Sequence, residues 1–309
     1  MIRTLFQATT IPSAISPYDR LHLKLYYPAL STGSQAERLS GIVPADKRHA
    51  PMPIVIFFNG INIGCESYHW LAVRLAQANL ITVLYTHIAE TLPGVIGLTP
   101  GIDLARVRPD TYGSGPTCPA IQPILDSLAV LNDDAASPLF QAMDLGHIIL
   151  GGHSAGGTVA LQNGQFFPQV KAIFAYAGHT MAATMLGFAP GTILKIGSKS
   201  TLLLRGERDG IVTASRSRYG ADQQTEDPVA LTFAKAYQPA AGSMAYDVLI
   251  QGANHFSIAY PLDETMGRFF VDMEMTRPGA EIRQQIAEIV LAFIKQWVLP
   301  AAHAVINKR

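Results

Sequence analysis

Residues 150–157 read Leu150-Gly151-Gly152-His153-Ser154-Ala155-Gly156-Gly157. An apolar run, His147 to Leu150, precedes the serine, and a helix-compatible run, Thr158 to Phe167, follows it. The centre of the stretch is Gly-x-Ser-x-Gly, made by Gly152, Ser154 and Gly156. A serine on a sharp strand-to-helix turn has a strained backbone. The turn also brings strand and helix so close that only small neighbours fit. It lifts the hydroxyl out of the sheet and sets the next backbone N–H at a helix start. Alone the pattern is weak, because short Gly/Ser runs recur by chance and an ordinary Gly-rich turn reads the same way. The strand before it and the helix after it supply the context.

Working outward, residues 53–58 (Pro-Ile-Val-Ile-Phe-Phe) are apolar on both faces, as in a buried parallel strand. A helical stripe from Glu66 to Asn79 follows, carrying Trp70, Leu71, Leu75 and Ala78, and then a second buried strand, residues 80–86. Strand, helix and strand at this spacing make a βαβ unit. Ile121, Ile124, Leu125, Leu128 and Leu131 mark an amphipathic helix just before the Ser154 stretch. Further strands are expected at 170–177, 200–205 and 245–250, with a helix near 228–237. A C-terminal helix carries Ile282, Ile286, Val290, Phe293 and Trp297. Upstream, residues 21–28 alternate and read as an antiparallel edge strand, and residues 31–52 read as a loop. The expected fold class is α/β, a mostly parallel central sheet with helices on both faces. One domain is expected over 1–309, with residues 1–20 as an N-terminal extension.

Residues 87–118 differ from their surroundings. They are rich in Gly and Pro and carry Leu92, Val95, Ile96, Leu98 and Ile102. So long a loop in a compact domain is usually functional. It follows a parallel strand and so lies at the carboxyl edge of the sheet, where ligands bind. It reads as one wall of a substrate pocket or as a lid.

The composition narrows the function classes. Of 309 residues, 49% are hydrophobic and 15% charged, enough apolar surface for a large core. Formal net charge is +0 with no basic block, so nothing points to nucleic acid or to an acidic membrane surface. No run approaches the length of a membrane span, and Met1 to Ser16 lacks a signal-peptide core. A soluble cytoplasmic protein is the expectation. Cys65 and Cys118 show no metal spacing and no CxxC; two free thiols are favoured over a single disulfide. No metal motif and no GxGxxG after a strand is present, so no metal and no cofactor are inferred.

A serine hydroxyl is a poor nucleophile until a base takes its proton and a third group orients that base. The chain offers both partners in order. Asp209 sits past a buried strand in Gly-Glu-Arg-Asp-Gly, and His255 sits past the last strand. Parallel strands end on the same side, which brings both to the edge that carries Ser154. A lone Asp in a Gly-rich turn is commonly only a turn former, and Glu207 is the nearby substitute. His153 should point away from the nucleophile, while His87 and His179, at strand ends, could line the pocket. The oxyanion of an acyl-transfer step needs two donors, and the backbone N–H groups of Ala155 and Ile61 are the candidates. Asn59 reads as a structural loop residue.

With Asn59-Gly60, the Gly-His-Ser-Ala-Gly-Gly run at 152–157, Arg208-Asp209 and Asn254-His255 in place, the chain resembles the α/β-hydrolase superfamily over most of its length. Within it, the chain is similar to the branch of chlorophyllases, cutinase-like polyester hydrolases, platelet-activating-factor acetylhydrolases and dienelactone hydrolases. Residues 53–60, the helix through Trp70, the strand ending at Tyr85 and the elbow are most similar to chlorophyllases. That resemblance implies a Ser-His-Asp serine esterase, cleaving the phytyl ester of chlorophyll in the chlorophyllase case. Plant chlorophyllases carry their acid in an Asp-Pro after the strand following the nucleophile helix. Residues 175–180 here (Ala-Tyr-Ala-Gly-His-Thr) hold no acid, so Asp209 takes that part. An apolar ester is the expected small-molecule partner. The segment after His255, with Ile258, Tyr260, Leu262, Met266, Phe269, Phe270, Met273 and Met275, reads either as a second cleft wall or as a core-packing helix. No Arg or Lys cluster along the sequence marks an anion clamp.

Overall fold

The computed structural model describes residues 1–92, 94–221, 227–265 and 267–298. The chain runs β1 (Ile2–Thr10), β2 (Arg20–Pro28), α1 (Gln35–Ser40), β3 (Met52–Phe58), α2 (His69–Gln77), β4 (Ile81–Leu92) and β5 (Val95–Leu98). It continues with α3 (Ile121–Asp133), β6 (Met143–His153), α4 (Ala155–Asn163), β7 (Val170–Tyr176), β8 (Ser200–Gly206), α5 (Gly210–Ser215), α6 (Pro228–Lys235), β9 (Ala245–Ile250) and α7 (Gly279–Val298). Among the described residues the nine strands share one sheet, ordered β1-β2-β4-β3-β6-β7-β8-β9, with β5 paired to β4. From β4 through β9 the path is parallel; β2 runs antiparallel to both β1 and β4.

Strand pleating divides the core into two layers. Ile54, Ile56 and Phe58 of β3 share one core cluster with Ile121 and Ile124 of α3, Val159 of α4 and Val229 of α6. Val55 and Phe57, on the other face, share a second cluster with Leu71 and Leu75 of α2 and Ile282, Ile286 and Val290 of α7. Apolar residues on both faces of β3, β6 and β7 thus follow from helices on both sides.

Several expectations change, among them the loop at 31–52, which carries the short helix α1. Residues 1–20 are not an extension: β1 pairs with β2 along its whole length, from Ile2 opposite Pro28 to Thr10 opposite Arg20. The edge strand is therefore β1, a half-exposed strand with an outward Phe6, whose sequence pattern is weak. Residues 87–118 are also more ordered than a loop. β4 runs on past the sheet to Leu92 and folds back through β5, pairing Ile88 with Leu98. The helix expected from Glu66 starts as a 3-10 turn, Cys65–Tyr68, before α2.

Candidate active site

β6 ends at His153 and α4 begins at Ala155, so the whole turn falls on Ser154. Its φ is 55° and its ψ −123°, a conformation that a residue with a Cβ holds only under strain. A Cβ on Gly156 would run into the carbonyl oxygens of Phe58 and Asn59, and one on Gly152 into the backbone of Gly156. The glycines are there because the helix start and two strand ends leave no room for a side chain. The Ser154 N–H donates to the Tyr176 carbonyl (2.9 Å), and the Ser154 carbonyl accepts from the Thr158 N–H (3.0 Å), fixing the turn at both ends.

Asp209 follows β8 and caps α5. Its Oδ1 accepts the Val212 N–H at 2.8 Å, and its Oδ2 lies 2.8 Å from His255 Nδ1. Both residues are buried. An ionised carboxylate only accepts, so Nδ1 carries the imidazole hydrogen and Nε2 keeps the basic lone pair. His255 and Ser154 line one cavity. Ser154 Oγ makes no hydrogen bond to His255 among the described residues, and such bonds commonly tighten only around a substrate. Glu207 is turned elsewhere: its carboxylate accepts the Gly252 N–H at 2.8 Å.

His153 has a defined place beneath this arrangement. The Gly60 N–H donates to the Tyr68 hydroxyl (3.1 Å), and Tyr68 Oη lies 2.8 Å from His153 Nδ1. His153 Nε2 lies 3.0 Å from the His255 carbonyl. That carbonyl can only accept, so Nε2 donates and Nδ1 accepts from the tyrosine. Burial, and then the neighbouring His255, hold the His153 pKa well below its usual value, which keeps the ring neutral for this role. One chain of bonds thereby ties the loop after β3 to the backbone of His255. Asp272 makes a second tie. Its Oδ1 accepts the Gly210 N–H (2.8 Å) and its Oδ2 the Phe256 N–H (3.2 Å), the residues directly after Asp209 and His255. Burial raises the Asp272 pKa. No motif announces Asp272 in the sequence; only the fold brings it to both turns.

The two backbone donors expected for an oxyanion both line the cavity. Ala155 is the first residue of α4, so its N–H has no intrahelical acceptor. Ile61 follows β3 in the loop that Asn59 braces, through bonds from its amide to the Gly60 and Ile63 carbonyls (3.0 and 3.1 Å). Asn62, at φ 55°, fastens the β4–β5 hairpin to that loop: its N–H reaches the Leu98 carbonyl (2.9 Å) and its Oδ1 the Leu98 N–H (3.1 Å).

The cavity holds about 420 Å³, within the usual range for a small-molecule site. Thr91, Val95, Ile102, Leu104 and Val107 form one wall, so the 87–118 segment does face the cavity. Leu186 and Leu194 back that wall in a small apolar cluster with Val107 and Ala182. His179 lines the cavity, is pushed down to about 4 by burial, and meets the Tyr219 ring edge-on at 4.7 Å. His87 does not line it; its Nε2 is turned to the Tyr18 carbonyl. The segment after His255 is neither an apolar cleft wall nor an α-helix. It forms short 3-10 turns, with Ile258 in the core and Tyr260, Phe270, Met273 and Met275 exposed; Met266 lies outside the described residues. From its later part Gly267 and Arg268 line the cavity, and Arg218 lines it too. The basic pair missing from the sequence is assembled by folding.

Among the described residues no group of three or more His, Cys, Asp or Glu is placed to hold a metal ion. Cys65 and Cys118 are both free thiols. Among the described residues no helix is long and apolar enough to cross a membrane.

No protein-family model and no curated protein sequence matches the chain. Solved structures do match. A ferulic acid esterase from Streptomyces cinnamoneus aligns with a TM-score of 0.59 at 15% identity, covering 100% of this chain and 93% of that one. With the strand order, the antiparallel β2 and the strained serine between β6 and α4, this likeness establishes that the chain has the α/β-hydrolase fold.

Proposed function

We propose that the protein is a serine carboxylic-ester hydrolase that works through an acyl-enzyme. One observation carries the reading. Ser154 is held on a strained turn and lines a cavity that His255 also lines, and Asp209 backs His255 through its Nδ1. Ser154 Oγ attacks the ester carbonyl while His255 Nε2 takes its proton. Asp209 holds the imidazole in the required tautomer and stabilises it when charged. The Ile61 and Ala155 N–H groups receive the developing oxyanion. His255 returns the proton to the leaving alcohol, and a water, activated in the same way, releases the acid.

The apolar wall from the 87–118 segment favours an ester with a hydrocarbon acyl or alcohol part. The phytyl ester of chlorophyll is the narrower case; it rests on the chlorophyllase-like elbow and strands. Lipase, lactonase or acyltransferase chemistry would use the same residues with a different second nucleophile or pocket. The test is hydrolysis of p-nitrophenyl esters from acetate to palmitate, with chlorophyll a alongside, by wild type and Ser154→Ala. Turnover lost with Ser154 supports the reading. Turnover that survives in Ser154→Ala, or none in wild type, contradicts it and favours a ligand-binding protein on a hydrolase fold. Cleavage of chlorophyll a decides the narrower case.

A further inference from the structure

The cavity is chemically mixed. Besides the apolar wall, its lining includes His179, Ser215, Arg218, Tyr219 and Arg268. Arg218 and Arg268 come from segments about fifty residues apart, the turn after α5 and the stretch after His255. Arg268 is half-buried, and its Nη2 donates to the buried Ser215 Oγ at 2.7 Å, which aims the guanidinium. Among the described residues no carboxylate lies within 4.0 Å of either guanidinium. The contrast with Arg205 is direct: that part-buried arginine has Asp247 at 3.0 Å and Asp227 at 3.8 Å.

Arg218 is exposed and Arg268 half-buried; like charges repel, and burying part of a cation with no carboxylate beside it costs free energy. The Arg268 pKa is lowered by burial and then by Arg218, the mark of a site short of negative charge. A bound anion would supply that charge, and guanidinium forks match carboxylate oxygens.

We propose that Arg218 and Arg268 recognise an anionic group on the substrate, so that the ester cleaved at Ser154 is amphiphilic. Its hydrocarbon part lies against Val95, Ile102 and Val107, and a carboxylate remote from the scissile bond lies at the arginines. Half-esters of dicarboxylic acids belong to this class. The inference rests on the esterase reading of Ser154.

The test compares mono-p-nitrophenyl adipate with p-nitrophenyl hexanoate, which share chain length and leaving group and differ in one terminal charge. The readout is the ratio of kcat/KM for the charged ester over the neutral one, corrected for spontaneous hydrolysis. The inference predicts a ratio above one for wild type at low salt, falling as salt rises. In Arg268→Gln and in Arg218→Gln it falls by roughly tenfold, the usual order for one charge-assisted bond. Arg268→Lys keeps part of the ratio. General damage to the fold slows both esters together and leaves the ratio alone. A wild-type ratio below one, or a ratio that both Gln variants leave unchanged, overturns the anion site while leaving the esterase reading intact. Hydrolysis of neither ester, with no fluorophosphonate labelling of wild type, sinks the esterase reading and the anion site with it.

Discussion

Asp209→Asn separates the orienting role of the carboxylate from its structural one. Both oxygens are in use: Oδ1 accepts the Val212 N–H at 2.8 Å, and Oδ2 accepts from His255 Nδ1 at 2.8 Å. An asparagine has a single oxygen. The Val212 N–H can only donate, so that oxygen stays on the cap and the amide nitrogen turns to the imidazole. Two donors then face one another unless His255 moves its hydrogen to Nε2, and that tautomer has no lone pair toward Ser154. The same substitution in a Ser-His-Asp protease lowers kcat by about 10⁴ for this reason. At 1.36 kcal/mol per tenfold, the expected loss is about 5 kcal/mol of transition-state stabilisation. The cap survives, because Asn and Asp are equivalent N-caps, so stability should change by less than about 1 kcal/mol. Steady-state kinetics on a p-nitrophenyl ester and a urea melt measure the two effects. Glu207→Gln is the control, since Glu207 faces the Gly252 N–H, and it should stay within about twofold of wild type. Asp209→Asn activity within tenfold of wild type would refute the assigned role.

Other perturbations probe the scaffold. Gly156→Ala drives a methyl into the Phe58 and Asn59 carbonyls, so folding stability should drop by at least about 1–3 kcal/mol in denaturant titration, and an unchanged midpoint would contradict the close approach. Asp272→Ala strips the acceptor from the Gly210 and Phe256 N–H groups; kcat/KM should fall on the order of 10–100-fold as the two turns lose register, and wild-type kinetics would show that Asp272 positions nothing. The folded His179 pKa, about 4, lies below the unfolded value near 6.5. Its contribution to stability is therefore complete above pH 6.5 and is lost as the pH falls toward 4. His179→Phe should lose about 3 kcal/mol less than wild type between pH 7 and 4 in urea melts, and equal losses would refute the burial argument.

The local signals carried the serine turn and the strand ends. Gly152, Ser154 and Gly156 are a contact requirement written into adjacent residues, and β9 falls on 245–250 as its apolar pattern predicts. The order Ser154, Asp209, His255 could be read because parallel strands deliver their ends to one edge. What escaped was non-local. β1 is recognisable only by its partner β2, since an edge strand with a wet face lacks a strong pattern. The β4–β5 pairing of Ile88 with Leu98 has no clear sequence signal, because the Gly- and Pro-rich run there reads equally well as loop. Asp272 and the Arg218–Arg268 pair carry no spacing signal, because each joins segments far apart in the chain. His153 has no sequence signal for its partners either: the side chain joins Tyr68 to the His255 carbonyl.

The central claim is that Ser154 is a nucleophile activated by the fold. Incubation with a fluorophosphonate, followed by intact-protein and peptide mass analysis, tests it without knowledge of the natural ester. The account predicts one adduct per chain, on Ser154, absent from Ser154→Ala and strongly slowed in His255→Ala. No adduct on correctly folded wild type, or an adduct on another residue at the same rate in Ser154→Ala, would contradict it.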